Sequence, residues 1–394
     1  MKTVLYVNGT EKFQDRQRLA GVTEYAQHHN WNLQSVEQLQ SPKQAKELIR
    51  IWNPDGFIVC RGAMLNQLPA KCFGDVPVLF SHNPLGEKGS RENCIFNDSS
   101  ATVELAVKEL LSLNLAAYAF VGWHMPTGWS IQRKSDFNSL MALHGKTAHA
   151  FEPSENRCSP TTLASKLAEW LATLPRPLGV LAANDQIAHQ IIRACHLIHM
   201  EVPDDIAVVG IDNDEELCES AHPSISSIDV GFAAAGLTAA EKLDMLMSSP
   251  DIAPLQVKCP PLCLVRRKST RRFKRHDNDV SKAVERIRRE ACGGLSALDI
   301  TKDFSCSRRM AEIRFRKVIG HSILQEIRQV RLETAKRLLP NRKLGMNFIA
   351  NQCGYSSSTV FSIFFRAETG ISPTEWRNSS NGRAVSGSDP IGGP

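Results

Sequence analysis

Two stretches fifty residues apart decide how the second part of this chain is built: "SRRMAEIRFRKVIG" at 307–320 and "SSTVFSIFFRAETG" at 357–370. Each opens on a serine, carries a Phe-Arg pair in its second half and closes on a glycine. A serine hydroxyl accepts from the free N–H groups at the start of a helix. Glycine takes the left-handed backbone that ends one. Each stretch therefore reads as a helix, and each follows a shorter helical stretch and a break: 297–304 before Ser305-Cys306-Ser307, and 347–353 before Gly354. Short helix, turn and basic helix, repeated, are two helix-turn-helix units whose second helices are available to a major groove. Further helices are predicted over 280–291, over 323–339 up to Pro340-Asn341-Arg342, and in a last turn from Ser372-Pro373 through Trp376. A plain bundle of six or seven helices would explain the phenylalanines as core. It would not explain the repeat, the serines and the charge together.

The charge is divided. The 394 residues carry a net +6, but residues 1–265 sum to −8 and residues 266–394 to +14. A basic module of that size is an electrostatic candidate for a phosphate backbone. Between the two parts runs "RRKSTRRFKRH" at 266–276, with seven Lys or Arg in eleven positions. Such a run is expected not to bury itself, so it reads as a linker or a phosphate-contacting arm. The last residues, 379–394, are rich in Gly, Ser and Pro and read as a disordered tail.

The first 265 residues alternate short apolar runs with helical stretches. Strands are predicted over 3–8, 31–36, 56–60, 76–80, 117–121, 179–183 and 206–211. Helices are predicted over 17–28, 43–52, 101–113, 186–196 and 233–247. Alternation of this kind predicts parallel, doubly wound sheets with helices on both faces. The length fits two similar lobes, with a break expected near Trp123 and a second crossing near Pro223.

Ligands of doubly wound sheets sit beyond the carboxyl ends of the strands. The polar residues there are Asp15, Arg16 and Gln17 after the first strand, then Asp98, Arg133, Asp185 and the pair Asp212-Asn213. Taken singly, each is an ordinary turn or helix-capping residue. Several carboxylates with one arginine suit a polyhydroxylated ligand, because a carboxylate accepts from neighbouring hydroxyls and a guanidinium donates to oxygen.

Other classes find little support. No apolar run approaches the ~18 residues of a membrane helix, so no membrane association is expected. The basic then apolar start, Met1 to Asn8, is too short for a secretory signal, and a cytoplasmic protein is expected. None of the eleven cysteines forms a C-x-x-C pair; Cys259 and Cys263, separated by Pro-Pro-Leu, come nearest. Neither a disulfide framework nor a metal site is expected. There is no G-x-G-x-x-G after the first strand, no P-loop and no G-x-S-x-G. No catalytic residue and no cofactor are assigned. The alternative is a sugar-binding protein or an enzyme of carbohydrate metabolism with an accessory basic helical domain.

The stretches "SRRMAEIRFRKVIGHSILQEIRQVRLETAKRLL" (307–339) and "IANQCGYSSSTVFSIFFRAETGISPTEWR" (349–377) resemble the DNA-binding domain of AraC-type transcription regulators. The first 265 residues resemble the periplasmic-binding-protein-like sensor of LacI/GalR-type regulators. The carriers are "DRQRLAGVTEYA" (15–26), "NDSSATVELAVKEL" (97–110), "WSIQRKSDF" (129–137), "AANDQIA" (182–188) and "VPDDIAVVGIDNDEELCESAHPSISSI" (202–228). The resemblance implies a sensing domain at 1–265, a basic linker at 266–278, an AraC-type domain at 279–378 and the tail. It implies a transcription regulator, not an enzyme.

The family's sensor contacts fall on Asp15, Asp98, Arg133, Asp185 and Asp212, positions already collected above. The implied effector is a small sugar, xylose or a related monosaccharide, held between the lobes. Phe13, Trp123 and Trp129 are expected to wall the pocket. Base-reading positions of the first recognition helix fall on Arg308, Arg309, Glu312 and Ile313, with Arg316 behind them. Those of the second fall on Ser358, Thr359, Ser362 and Ile363, with Arg366 placed for a phosphate. The further implied partners are double-stranded operator DNA, RNA polymerase and a second copy of the chain, with 101–110 as the dimer face. Two departures stand out. Ala311 takes a place usually held by leucine, which implies looser packing. Ile313 and Ile363 take places that are often arginine. Isoleucine cannot grip guanine but can meet a thymine methyl.

Overall fold

The structure is a computed structural model. It describes residues 1–394 apart from 10–11, 38, 62–67, 82–91, 124–126, 152–158, 250–253, 272–277, 343 and 380–394. The first lobe is built from β1 (Lys2–Val7), α1 (Lys12–His28), β2 (Trp31–Val36), α2 (Pro42–Trp52), β3 (Gly56–Cys60), β4 (Val78–Ser81) and β5 (Cys94–Asn97). The chain then passes through α3 (Ser99–Ser112), β6 (Ala117–Val121), α4 (Gly128–Leu143), β7 (Ala148–Phe151), α5 (Pro160–Ala172) and β8 (Leu178–Ala182). It continues with α6 (Asp185–Leu197), β9 (Ile206–Ile211), α7 (Glu215–Ser220) and β10 (Ser226–Asp229). Helix α8 (Phe232–Ser248) and strand β11 (Gln256–Cys259) return to the first lobe, and β12 (Cys263–Val265) closes the second.

The two sheets have matching strand orders, β11-β5-β4-β3-β1-β2 and β12-β10-β9-β8-β6-β7. Every pairing is parallel except that of β12 with β10. The central strands are apolar along their whole length, as strands covered on both faces must be; β3, β6, β8 and β9 are buried throughout.

The lobe boundaries differ from the expected ones. The chain crosses between lobes at 97–99, at 229–232 and at 259–263, not near Trp123 and Pro223. Trp123 and Pro223 both lie inside the second lobe. The reason is α3: its apolar face packs on the second sheet. Helical periodicity marks a buried face without saying which sheet covers it. That packing also bears on the dimer face expected at 101–110. Thr102, Val103, Ala106, Val107, Glu109 and Leu110 are buried within the chain, and only Glu104 and Lys108 of that stretch are exposed.

The helical body holds α9 (Asn278–Glu290), α10 (Ala297–Thr301), α11 (Arg308–Ile319), α12 (Ile323–Leu338), α13 (Met346–Gln352), α14 (Ser358–Thr369) and α15 (Pro373–Ser379). It has two cores. Ala311 and Phe315 join Val280, Ile287 and Ile300 in one; Phe361, Phe364 and Phe365 join Ile349 and Cys353 in the other. Helix α12 enters both, through Ile323 and Ile327 at its start and Ala335 near its end. Sixteen residues at ~1.5 Å rise make it a rod of about 24 Å that spaces the two units. Ala311 is fully buried in the first core.

The basic run is a correction. Residues 266–271 do not float. Ser269 and Thr270 are almost completely buried, and Arg267 is 4% exposed. The Ser269 hydroxyl donates to the Val208 carbonyl at 2.6 Å, and the Ser226 amide donates to the Ser269 oxygen at 2.8 Å. Arg267 donates to the Ile225 carbonyl at 2.9 Å and the Asn213 side-chain oxygen at 3.0 Å, and pairs with Glu219. A basic run is buried at little net cost when carboxylates and carbonyls meet each guanidinium; composition alone does not reveal those partners. Residues 272–276 of the run, and the expected tail from 380 onward, lie outside the described residues.

Candidate functional site

The first candidate site lies between the lobes, at the carboxyl ends of β1 and β9. Helix α1 begins just past β1 and places Phe13, Gln14, Asp15 and Arg18 there. Asp15 is buried, and its Oδ1 stands 3.6 Å from Arg18. Tyr6, in the core of β1, donates its hydroxyl to the Asp15 carbonyl at 3.0 Å. A Cβ at Gly9 would stand 3.1 Å from both the Asp15 carboxylate and the Cys60 carbonyl, so a larger residue there would crowd them.

From the second lobe come Arg133 and Asp212, each almost fully buried. Arg133 Nη2 lies 3.7 Å from Asp212 Oδ1, and its Nη1 donates to the Ala183 carbonyl at 2.5 Å. Its guanidinium lies 4.9 Å from the centre of the Trp129 ring, with Trp123 6.0 Å beyond. Gln14 reaches across from the first lobe and donates to Asp212 Oδ2 at 3.1 Å. Phe232 faces Phe13 edge-on at 6.3 Å and Arg18 at 4.7 Å. Carboxylates, a guanidinium and aromatic faces around one space are the equipment for a small hydroxylated ligand.

The turn after β9 is held against its own preference. Asp212 has φ 110° and Asn213 φ 52°, two successive positive angles at residues other than glycine. Such positions cost of order 1–3 kcal/mol each and persist only where neighbours impose them. The imposing contacts are present. The Asp212 amide donates to the Ile228 carbonyl at 2.9 Å, the Asn213 amide to Ser227 Oγ at 3.0 Å and the Asp214 amide to Asp185 Oδ2 at 2.8 Å.

Asp185 is thus a clamp on the turn. Its second oxygen accepts from the Ser227 hydroxyl at 2.6 Å. Gly210 beneath it leaves no room for a side chain, since a Cβ there would stand 2.1 Å from Asp185 Oδ1. Burial and then the nearby Asp212 push the Asp185 carboxyl up to about 8, against the pull of its donors. Burial raises Asp212 as well, and Arg133 opposes it.

The other expected residues lie at the edges of this group. Asp98 caps α3, accepting from the Ala101 amide at 3.2 Å, and lies 4.0 Å from Lys258. Asn213 accepts from Arg267 through its Oδ1 and donates through its Nδ2 to Asp229. Arg16 is exposed and lines the outer cavity of about 710 Å³, with Phe13, Asp212 and Phe232. The structure therefore brings together Asp15, Arg133 and Asp212, with Asp185 behind them, and leaves Asp98 as the cap of α3 and Arg16 on the wall of the outer cavity. Sequence reasoning missed Gln14 and Arg18. Their signal was present: both lie on the first turns of the helix that carries Asp15, within one turn of it.

The helical body touches this cavity, because Arg337 and Asn341 form part of its wall. Arg337 pairs with Glu215 of the second lobe, and the Arg342 amide donates to Glu24 of the first at 2.9 Å. The Arg342 guanidinium stands 3.6 Å from Glu241.

The second candidate site is the outer face of α11 and α14. Ser307 and Ser357 cap them, accepting from Met310 and Val360 amides at 3.4 and 3.3 Å. Gly320 and Gly370 end them with φ 94° and 82°. Arg308, Arg309, Ile313 and Arg316 are exposed on the first helix, with Glu312 half-buried; Thr359, Ile363 and Arg366 are exposed on the second, with Ser358 and Ser362 half-buried.

Among the described residues no helix is long and apolar enough to cross a membrane. A periplasmic binding protein-like domain model matches residues 107–270, and a helix-turn-helix domain model matches 300–379. The combination defines a transcription regulator with a two-lobed sensor and paired helix-turn-helix units, and not an enzyme. The xylose operon regulatory protein of Escherichia coli (strain K12) is 29% identical over 375 residues, 93% of this chain and 94% of that protein. The protein of the same name from Haemophilus influenzae is 30% identical over 286 residues, 72% of this chain and 74% of its own. A solved xylose-binding transcription activator superposes with a TM-score of 0.60 at 28% identity, covering 96% of this chain and 98% of that one. A lac repressor dimer bound to operator shares the fold over 68% of this chain, with TM-score 0.55 at 18% identity. The chain belongs to the family of the xylose operon regulatory proteins.

Proposed function

We propose that this chain controls transcription in response to a free sugar, xylose or a related monosaccharide, bound between the lobes of residues 1–265. In this reading Arg133 and Asp212 hold the ligand's oxygens and hydroxyls, Asp15 adds a second acceptor, and Phe13, Trp123 and Trp129 set the ring size admitted. Asp185 positions the Asp212-Asn213 turn. The observation that carries the reading is the hydrogen bond from Gln14 to Asp212, which joins the two lobes at the cluster. A ligand inserted among these groups changes how the lobes meet.

The basic helical domain, 279–378, binds double-stranded operator DNA through α11 and α14. Two chains associate so that a pair of such domains meets the operator, and the bound regulator acts on RNA polymerase. The relatives named for the xylose operon and the net charge of the second part support this reading. Calorimetry with xylose and with other pentoses and hexoses tests it. Micromolar to millimolar binding of a free sugar, unaltered on recovery, is expected. Binding only of phosphorylated or non-sugar ligands overturns it.

A further inference from the structure

The DNA-binding reading leaves one regularity of α11 and α14 unexplained. Three positions after its capping serine, each helix exposes an aliphatic residue, Met310 at 47% and Val360 at 47%. Three positions further on each exposes another, Ile313 at 49% and Ile363 at 68%. Three further still each exposes an arginine, Arg316 and Arg366. Both helices also share the capping serine, the Phe-Arg pair and the closing glycine, and they differ in what they bury. One packs on Ala311 and Phe315, the other on Phe361, Phe364 and Phe365, and Thr359 stands where Arg309 stands. Burial in the two helical cores does not account for these residues. A partner that presents the same apolar feature to both helices would cover them.

We propose that Met310 and Ile313, and Val360 and Ile363, read thymine 5-methyl groups in two segments of major groove; the proposal rests on the DNA-binding reading above. The thymine methyl is the one apolar group on a major-groove base edge. Residues three apart on a helix are about 4.5 Å apart along its axis, close to the ~3.4 Å between base pairs. Each pair therefore spans neighbouring base pairs, and the arginine after it reaches the backbone. The flanking Arg308, Arg309 and Lys317 are exposed beside the first pair, and like charges oppose its docking on the same face of a second copy.

The full-length protein selects duplexes from random DNA at low salt, and each thymine of the enriched sequence is then replaced by deoxyuridine, which removes only the methyl. Wild type is expected to lose about fourfold in affinity for each contacted methyl. Ile313→Ala abolishes that loss in one segment only and Ile363→Ala in the other, while circular dichroism shows both variants folded. No loss on any replacement in wild type overturns the proposal. So does equal loss in wild type and both variants. Unchanged methyl sensitivity together with a shift from dimer to monomer in the Ile variants assigns the faces to chain association instead. Absence of salt-dependent binding to any duplex is distinct: it defeats the DNA-binding reading, and this proposal with it.

Discussion

Arg337, at the end of α12, pairs its guanidinium with the Glu215 carboxylate at the start of α7, so the rod that spaces the two helix-turn-helix units rests on the second sensor lobe. A few residues on, Arg342 meets Glu24 and Glu241 of the first lobe. One short segment thus touches both sides of the cleft, and lobe movement must either carry it along or break one of these contacts. The Arg337 pair is well exposed, at 43% and 57% of the two side chains, so its own stabilisation is at most ~1 kcal/mol. Arg337→Ala is therefore expected to leave the melting temperature and sugar affinity nearly unchanged. It should bring the ratio of DNA affinities with and without sugar toward one. Binding titrations with DNA at saturating and zero sugar measure that ratio; an unaltered ratio rejects the coupling.

In the proposed function Asp212 carries the central acceptor. Loss of a charge-assisted hydrogen bond in a closed pocket costs about 1.5–3 kcal/mol, so Asp212→Ala should weaken sugar binding roughly ten- to a hundredfold. DNA binding in the absence of sugar should persist. Calorimetry for sugar and a mobility shift for DNA separate the two effects, and parallel loss of both would mean that Asp212 serves folding alone.

The buried Asp185 carboxyl, raised to about 8 from its ordinary value near 4, makes stability depend on pH. Between those values the folded chain holds a proton that the unfolded chain has released. Its contribution to stability is full at acid pH and declines as pH rises toward 8, by on the order of 1 kcal/mol per unit. In Asp185→Asn this decline should be missing. Urea unfolding of both proteins from pH 5 to 8 should show wild type losing ground to the variant. A constant difference across that range contradicts a raised carboxyl.

The strap at 266–271 sets a buried arginine beside an exposed lysine. Arg267→Ala removes donors from the Ile225 carbonyl, the Asn213 side chain and Glu219, and should cost about 2–3 kcal/mol. Lys268 pairs with Glu285 at 2.9 Å with both side chains 56% exposed. Lys268→Ala should cost less than ~1 kcal/mol. Equal effects in chemical denaturation would mean that the strap is not packed in solution.

The recognition helices should contribute unequally to hydrogen-bonded readout. Arg309 can take guanine O6 and N7 together, whereas Thr359 at the matching place discriminates weakly. Arg309→Ala should cost about 1–3 kcal/mol and relax preference at one base pair. Arg366→Ala should weaken all sequences alike and reduce the salt slope by about one unit. Selection on random DNA with wild type and Arg309→Ala compares them; identical enriched motifs would show that Arg309 does not read sequence.

What the chain determines by itself is whatever depends on neighbours along it. The capping serines and closing glycines at 307, 320, 357 and 370 bound their helices at the expected residues, because a cap is a contact within one turn. The apolar strands were legible because a strand covered on both faces has no polar side to show. Asp15, Arg133 and Asp212 were legible as a group, since doubly wound sheets place the ends of their strands together. The tertiary structure decided the rest. It set the lobe to which α3 belongs, because an apolar face fits either sheet until one is packed on it. It turned Asp185 toward the Asp212-Asn213 turn, a choice made by Ser227 and Gly210 far along the chain. It buried Arg267 within the basic run, since Ile225, Asn213 and Glu219 supply acceptors that no local pattern announces. It also seated Arg337 against Glu215, a contact between residues more than a hundred positions apart that only the docking of the helical body creates.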